Sequence, residues 1–184
     1  VNSGEKACLC AYDGFGYYAY LPQMYENGHL KFDQQWMQDK QNKYCNGAYA
    51  YQLEKKDLKN EINIYHMGMS FVLLPSFAVG DIVAKAGGYP QDGFSKPYHI
   101  SYHLNALLFI FLGLLYLRKL LLFFASDRST TIALLLVALG TNVYFIFNYQ
   151  YDLPHLYLFT INAACAYHFF KFLRNRETTD STFK

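Results

Sequence analysis

Asp13 opens the stretch Asp13-Gly14-Phe15-Gly16-Tyr17-Tyr18-Ala19-Tyr20-Leu21-Pro22, which sets one carboxylate on a glycine-flexed turn directly ahead of aromatic residues. A carboxylate placed in this way can take the proton of a reacting hydroxyl. The two glycines that follow, Gly14 and Gly16, let a ligand or another backbone come close. Asp is also a favoured helix N-cap, and capping alone is the simplest reading of the residue. His66, Asp92, Lys96 and His155 complete the candidate set, as groups that could bind a substrate. Lys96 can hold a phosphate or anchor the chain at a membrane interface. Asp92 stands before Gly93 and reads most simply as a turn residue. The histidines His99, His103 and His155 suit interfacial hydrogen bonding. His99 and His103 are four residues apart, but no HExxH motif accompanies them. No CxxC pair is present, so no metal ligand and no cofactor are assigned, and a divalent-metal requirement stays open.

The elements that would carry these residues follow from composition and pattern. The chain has 184 residues, 53% hydrophobic and 19% aromatic, with a net charge of +2. Its mean hydropathy is near zero, which suits a hybrid of polar and lipid-embedded parts. The small charge and the lack of a Lys/Arg stripe exclude a nucleic-acid partner. Tyr17, Tyr20, Leu21, Met24 and Tyr25 follow the spacing of a one-sided helix, expected to be capped by Asp13 and to lie on a membrane surface. Asn27-Gly28 and Asn46-Gly47 mark turns, and Phe32, Trp36 and Met37 allow a second short helix in residues 32–41. The mixed charges of residues 54–61 read as a solvated helix face or loop. Cys8, Cys10, Cys45 and Cys165 are expected to be free thiols, although Cys8 or Cys10 could pair with Cys45 in an oxidising compartment. The opening residues have no initiator Met, no signal core and no first span, so the chain reads as a piece of something longer.

Three apolar stretches approach the ~20 residues a bilayer crossing needs: 102–117, 129–150 and 153–170. Residues 65–86 are apolar too, but Pro75 interrupts them and Asp81 and Lys85 sit near their end. The expectation there is a helix broken near Pro75 that lies along or dips into the outer leaflet, the alternative being a full span that would put Asp13 on the cytoplasmic side. Arg118, Lys119 and Arg128, and then Lys171, Arg174 and Arg176, place the 118–128 turn and the 171–184 tail in the cytoplasm. Residues 1–98 then form an extracytoplasmic region, 99–172 the transmembrane helices and 173–184 a polar cytoplasmic tail. The expected fold class is all-α: an integral membrane helical bundle with an extracytoplasmic region of short amphipathic helices.

Several motifs resemble the family-39-like polytopic glycosyltransferases of the bacterial GT-C class. The stretch from Asp13 to Pro22 is similar to that group's first outer loop. The Gly68 to Phe77 segment, Gly-x-x-x-x-x-Leu-Pro-x-Phe, is similar to its second juxtamembrane element. Asp92-Gly93-Phe94-Ser95-Lys96-Pro97-Tyr98 resembles its Asp-Gly-Tyr-Ser-x-Pro-Tyr loop, and Pro154 to Phe159 adds a weaker match. The resemblance covers most of residues 11–172 and implies a multi-pass protein of the bacterial inner membrane. The implied activity is transfer of a sugar from a lipid-linked, polyprenyl-phosphate donor to a glycan, lipid or protein acceptor. Within it, Asp13 matches the essential acid. Two departures stand out: the family's first span is absent before Asp13, and Ile64-Tyr65-His66-Met67 replaces its Lys-Tyr-Pro arrangement. The alternatives are a non-catalytic membrane scaffold and a transporter fragment. Intramembrane acids are expected in a transporter, and the two cleanest spans contain none.

Overall fold

The structure, a computed structural model, describes residues 12–45, 51–57 and 60–182. It is mostly helical, with one two-stranded antiparallel sheet among the described residues. The chain divides into two compact units, Val1–Asn105 and Ala106–Lys184.

In the first unit the residues around Asp13 form two short helices, α1 (Tyr12–Tyr18) and α2 (Tyr20–Asn27), rather than a single one. Their buried face is Phe15, Tyr18, Ala19, Pro22 and Gln23. The expected stripe of Tyr17, Tyr20, Leu21, Met24 and Tyr25 is the half-buried to exposed side. The reason is that Gly14 and Gly16 contribute nothing to a hydrophobic pattern, yet bring their side of α1 against its neighbours. α2 ends at Gly28, whose φ of 68° is left-handed, so the expected turn is present. Then α3 (Gln34–Tyr44) starts at Asp33, whose carboxylate accepts from the Gln35 N–H at 3.1 Å. Met37 of α3 is fully buried, and Phe32 just ahead of α3 is nearly so. The Asn46-Gly47 turn lies outside the described residues.

The described residues of the charged run form neither a helix nor a loop. They make β1 (Leu53–Asp57) and β2 (Asn60–Asn63), an antiparallel hairpin in which Leu53 faces Asn63 and Glu54 faces Ile62. Backbone pairing, together with a bridge from Phe32 to Glu61, supplies what the polar side chains cannot.

Next, α4 (Gly68–Gly87) is one continuous helix through Pro75, so the expected break is absent. An interior proline costs about 3 kcal/mol. Burial of Met69, Leu73 and Phe77 on one face offsets it, at about 2 kcal/mol for each large apolar side chain. Asp81 does not argue against helix packing either, because the Tyr98 hydroxyl donates to it at 2.6 Å. The same face of α4 meets the start of α5 (Lys96–Leu121): Ser101 Oγ donates to the Ser76 carbonyl at 2.7 Å. A Cβ on Gly80 would stand 2.8 Å from Tyr98 Cα, so only glycine admits this approach. The other face of α4 shows Phe71, Leu74, Val79, Ile82 and Val83 to the surroundings.

In the second unit, α5 packs on α8 (His155–Thr182). The Thr160 hydroxyl donates to the Phe109 carbonyl at 2.6 Å, and Gly113 leaves room for the Phe159 ring. Residues 129–150, expected as one span, are divided into α6 (Asp127–Gly140) and α7 (Asn142–Tyr149) with a 46° bend between them. Thr141 makes the break: its backbone is extended and its hydroxyl accepts from the Val143 N–H at 3.3 Å while donating to Val137 at 2.6 Å.

Among the described residues two helices are long and apolar enough to cross a membrane, α4 and α5, and a third if the bent α6–α7 pair is one span. The 153–170 stretch is helical within α8 but is not among them, since His155, Asn162, His168 and Lys171 dilute its apolar residues. Conversely, the segment with Pro75 is long and apolar enough.

Candidate functional site

Asp13 sits in the first turn of α1 and is exposed. It is not an N-cap from outside the helix. Its Oδ1 instead accepts hydrogen bonds from two phenols, the Tyr51 and Tyr65 hydroxyls. The hairpin explains why two tyrosines fourteen residues apart converge there. Its register continues past the strands, where the Ile64 N–H donates to the Gln52 carbonyl at 2.9 Å, and this sets Tyr51 opposite Tyr65. The hairpin is in turn fastened to α1. The Gln52 amide donates to the Tyr12 carbonyl at 2.7 Å and the Asn63 amide to the Gly16 carbonyl at 2.8 Å.

Gly16 completes the clamp. A Cβ there would lie 2.1 Å from Tyr65 Cδ2, so any side chain would push that ring off α1 and away from Asp13. The Tyr51 bond, then the Tyr65 bond, hold the Asp13 carboxyl below the usual carboxylate range, against a smaller opposing push from burial. Burial first, then Asp13, pushes the Tyr65 phenol up, so it remains a donor. Tyr65→Phe removes one donor, and Asp13 should then titrate closer to an ordinary aspartate. Because the native group is shifted down, the expected result is an acid limb of the pH–activity profile displaced to higher pH. An unmoved limb in Tyr65→Phe, with Asp13 essential, would show that the clamp does not control this carboxylate.

Asp92 has a different setting. It is buried, and its Oδ1 accepts from the Phe94 and Ser95 backbone N–H groups at 2.9 and 3.1 Å. Its Oδ2 accepts from the Tyr44 hydroxyl, and Lys43 Nζ lies at 3.4 Å. Burial raises its pKa, but the Tyr44 and Phe94 bonds and the charges of Lys43 and Lys40 prevail, and the net shift is downward. Asp92 therefore stays ionised and ties α3 to the loop before α5. Gly93, at φ 78°, passes under Pro22 where a Cβ would come within 2.7 Å, and the Tyr18 hydroxyl donates to its carbonyl.

Beside this tie lies a cavity of about 570 Å³ lined by Lys43, Tyr44, Phe94, Ser95, Lys96, His99 and Ile100. Three basic side chains and two aromatic rings make it suited to an anion that carries an apolar or sugar portion. Phe94 is its link to Asp13. Its ring stacks on Tyr44 at 5.4 Å and on Phe15 at 5.6 Å, and Phe15 shares α1 with the carboxylate.

Of the residues singled out from sequence, Asp13, Asp92 and Lys96 therefore belong to one connected assembly. Lys96 is exposed at the cavity, while Asp92 stands behind its wall as a structural anchor. His66 is exposed next to Tyr65. His155 is the exposed first residue of α8, in the second unit. Sequence reasoning missed Lys43, Tyr44, Tyr51 and Tyr65. Among 18 tyrosines nothing distinguishes these three before the hairpin and α3 are placed.

Cys45, at the end of α3, is disulfide-bonded, which corrects the expectation of free thiols there. Cys165 is free and exposed. Cys8 and Cys10 lie outside the described residues. Among the described residues no three His, Cys, Asp or Glu side chains cluster to hold a metal ion.

No protein-family model matches the chain, and comparison with curated proteins and with solved structures finds no similar one.

Proposed function

We propose that this chain carries the donor and base sites of a membrane glycosyltransferase that takes its sugar from a polyprenyl-phosphate donor. The observation that carries the reading is an exposed carboxylate kept ionised by two phenols, joined through Phe15 and Phe94 to a cavity with three basic groups. The acceptor hydroxyl attacks the anomeric carbon and its proton passes to Asp13. The bond from that carbon to the lipid phosphate breaks, and the phosphate leaves with the electron pair. Lys96 and Lys43 offset its charge, and His99 can donate a hydrogen bond to it. A carboxylate with a lowered pKa is a weak base, so the proton transfers late, after the anomeric bond has largely broken. The acceptor is a glycan, a lipid or a protein. Asp81, the acid within α4, is held by Tyr98 as a packing partner, which gives a transport reading no support.

The same proposal places the protein in the bacterial inner membrane as a multi-pass helical bundle, with α4 lying along the outer leaflet instead of crossing it. A helix of 20 residues is about 30 Å long. One water-facing layer contacts it near both ends. Ser70 donates to the Tyr17 carbonyl at 2.8 Å, while Tyr25 packs on Phe77 and donates to Gln91, beyond the other end, at 3.2 Å. A crossing would draw that layer, with Glu26, Lys40 and Asp92, into hydrocarbon at a cost of several kcal/mol per charge. Lying flat leaves the layer in water and turns Phe71, Leu74, Val79, Ile82 and Val83 to lipid. The Cys45 disulfide fits an oxidising exterior. Cysteines introduced at the exposed positions 66 and 91, in a variant lacking Cys165 and read against that same variant without them, should both react with an impermeant thiol reagent added outside. Reaction of the two from opposite sides would show that α4 crosses.

Activity is tested by following labelled sugar from a panel of polyprenyl-phosphate donors in membranes carrying the full-length protein. The expected result is transfer above that of membranes lacking it. No transfer with any donor would overturn the reading.

A further inference from the structure

We infer that a groove between α4 and α5 takes the hydrocarbon chain of the prenyl phosphate donor, with Lys96 at the junction of head and tail. The choice of occupant rests on the sugar-transfer reading above. Val79 and Val83 of α4, Ile100 and Leu104 of α5, Tyr89 and Lys96 line a space of about 300 Å³. The four aliphatic side chains are each more than half exposed, so the described chain leaves this surface uncovered. The Ser101 hydroxyl at the groove is already engaged, donating to the Ser76 carbonyl at 2.7 Å. An apolar chain can therefore lie there without cutting that group off from a partner.

Lys96 and Ile100 also line the cavity of about 570 Å³ beside Asp92, so the two spaces share a wall. Lys43 in that cavity is drawn to Asp92 at 3.4 Å, whereas Lys96 is in no ion pair among the described residues. The acids on the flanking segments are held elsewhere: Asp92 by Tyr44 and the Phe94 and Ser95 N–H groups, Asp81 by Tyr98. One side of Lys96 thus suits a phosphate and the other a hydrocarbon. A prenyl phosphate joins these parts through one ester oxygen to a single chain, which can turn at Lys96 from one space into the other. A phospholipid must also place a glycerol and a second chain, and inorganic phosphate would leave the groove empty. Val79 and Val83 lie on the α4 face turned to lipid, so the remainder of a long chain can run on into the bilayer.

The test uses the full chain purified in a neutral detergent and a polyprenyl phosphate carrying a diazirine on its first isoprene unit. After irradiation, peptide mass spectrometry should find cross-links in residues 79–83 and 100–104, and unlabelled polyprenyl phosphate should abolish them. Inorganic phosphate and phosphatidic acid should each need a concentration at least about tenfold higher to do so. Val79→Trp and Leu104→Trp set a large ring at exposed positions, so each should keep its helical circular dichroism while cross-linking falls about tenfold. Should either fail to fold, Val79→Phe or Leu104→Phe replaces it. Cross-links confined to the cavity residues, or scattered over the lipid-facing surface, would overturn the inference. Equal competition by phosphatidic acid would do so too, as would unchanged labelling in both variants. Labelled-sugar transfer reads the underlying reaction separately. Transfer without groove cross-links sinks the groove alone, and groove cross-links without transfer sink the catalytic reading alone.

Discussion

Replacing Asp13 by Asn should lower sugar transfer by about 10²–10⁴-fold, the usual contribution of a general base, while leaving the protein folded and abundant. Asparagine has the same size, and its amide oxygen can still accept from Tyr51 or Tyr65, whose hydroxyls now meet at Asp13. What it lacks is a site for the acceptor's proton. Asp13 is exposed, so losing its charge should shift the melting temperature little. Membranes carrying each full-length variant at matched protein level would be assayed for transfer. Near-normal transfer by Asp13→Asn would remove this residue from the chemistry and leave its tyrosine clamp as a structural feature only.

The second large effect is expected at Asp92, and it concerns stability. Asp92→Ala strips the acceptor from the Tyr44 hydroxyl and from the Phe94 and Ser95 N–H groups, and it takes the partner charge from Lys43. Leaving several buried donors without an acceptor costs about 3 kcal/mol. In a unit of roughly a hundred residues this corresponds to a fall in melting temperature of about 10 °C or more. The direction of the pH effect follows from the lowered pKa. The stabilisation from Asp92 is present above the ordinary carboxylate pKa and is lost as pH falls through the depressed native value. Native protein should therefore lose its advantage over Asp92→Ala in acid. Thermal melts of both proteins over a pH series would show it, and a melting temperature within about 2 °C of native at neutral pH would refute the anchoring role. The two substitutions separate cleanly: Asp13→Asn should impair transfer in a stable protein, and Asp92→Ala should impair both together.

A turn at Asn27-Gly28, a helix around Trp36 and Met37 and an apolar helix over 102–117 were all legible in the sequence, because each depends on neighbours a few residues apart. The candidate carboxylate was legible for the same reason, as an acid followed by two glycines and a run of aromatics. Pro75 misled, because the cost of one missing hydrogen bond is local and the burial that offsets it comes from α1, α2 and α5. The charged run misled likewise, since strand pairing depends on which backbone lies opposite and not on hydrophobic period. That pairing is what sets Tyr51 against Tyr65, and only the packing of the hairpin on α1, over the bare Cα of Gly16, brings both hydroxyls to Asp13. The meeting of Lys43 and Tyr44 with Asp92, nearly fifty residues away, is equally a product of tertiary structure. Sequence by itself determined which groups were available, because side-chain chemistry travels with the residue. Distance in space, which leaves Asp13 exposed beneath two phenols and Asp92 buried against Tyr44, came only from the folded chain.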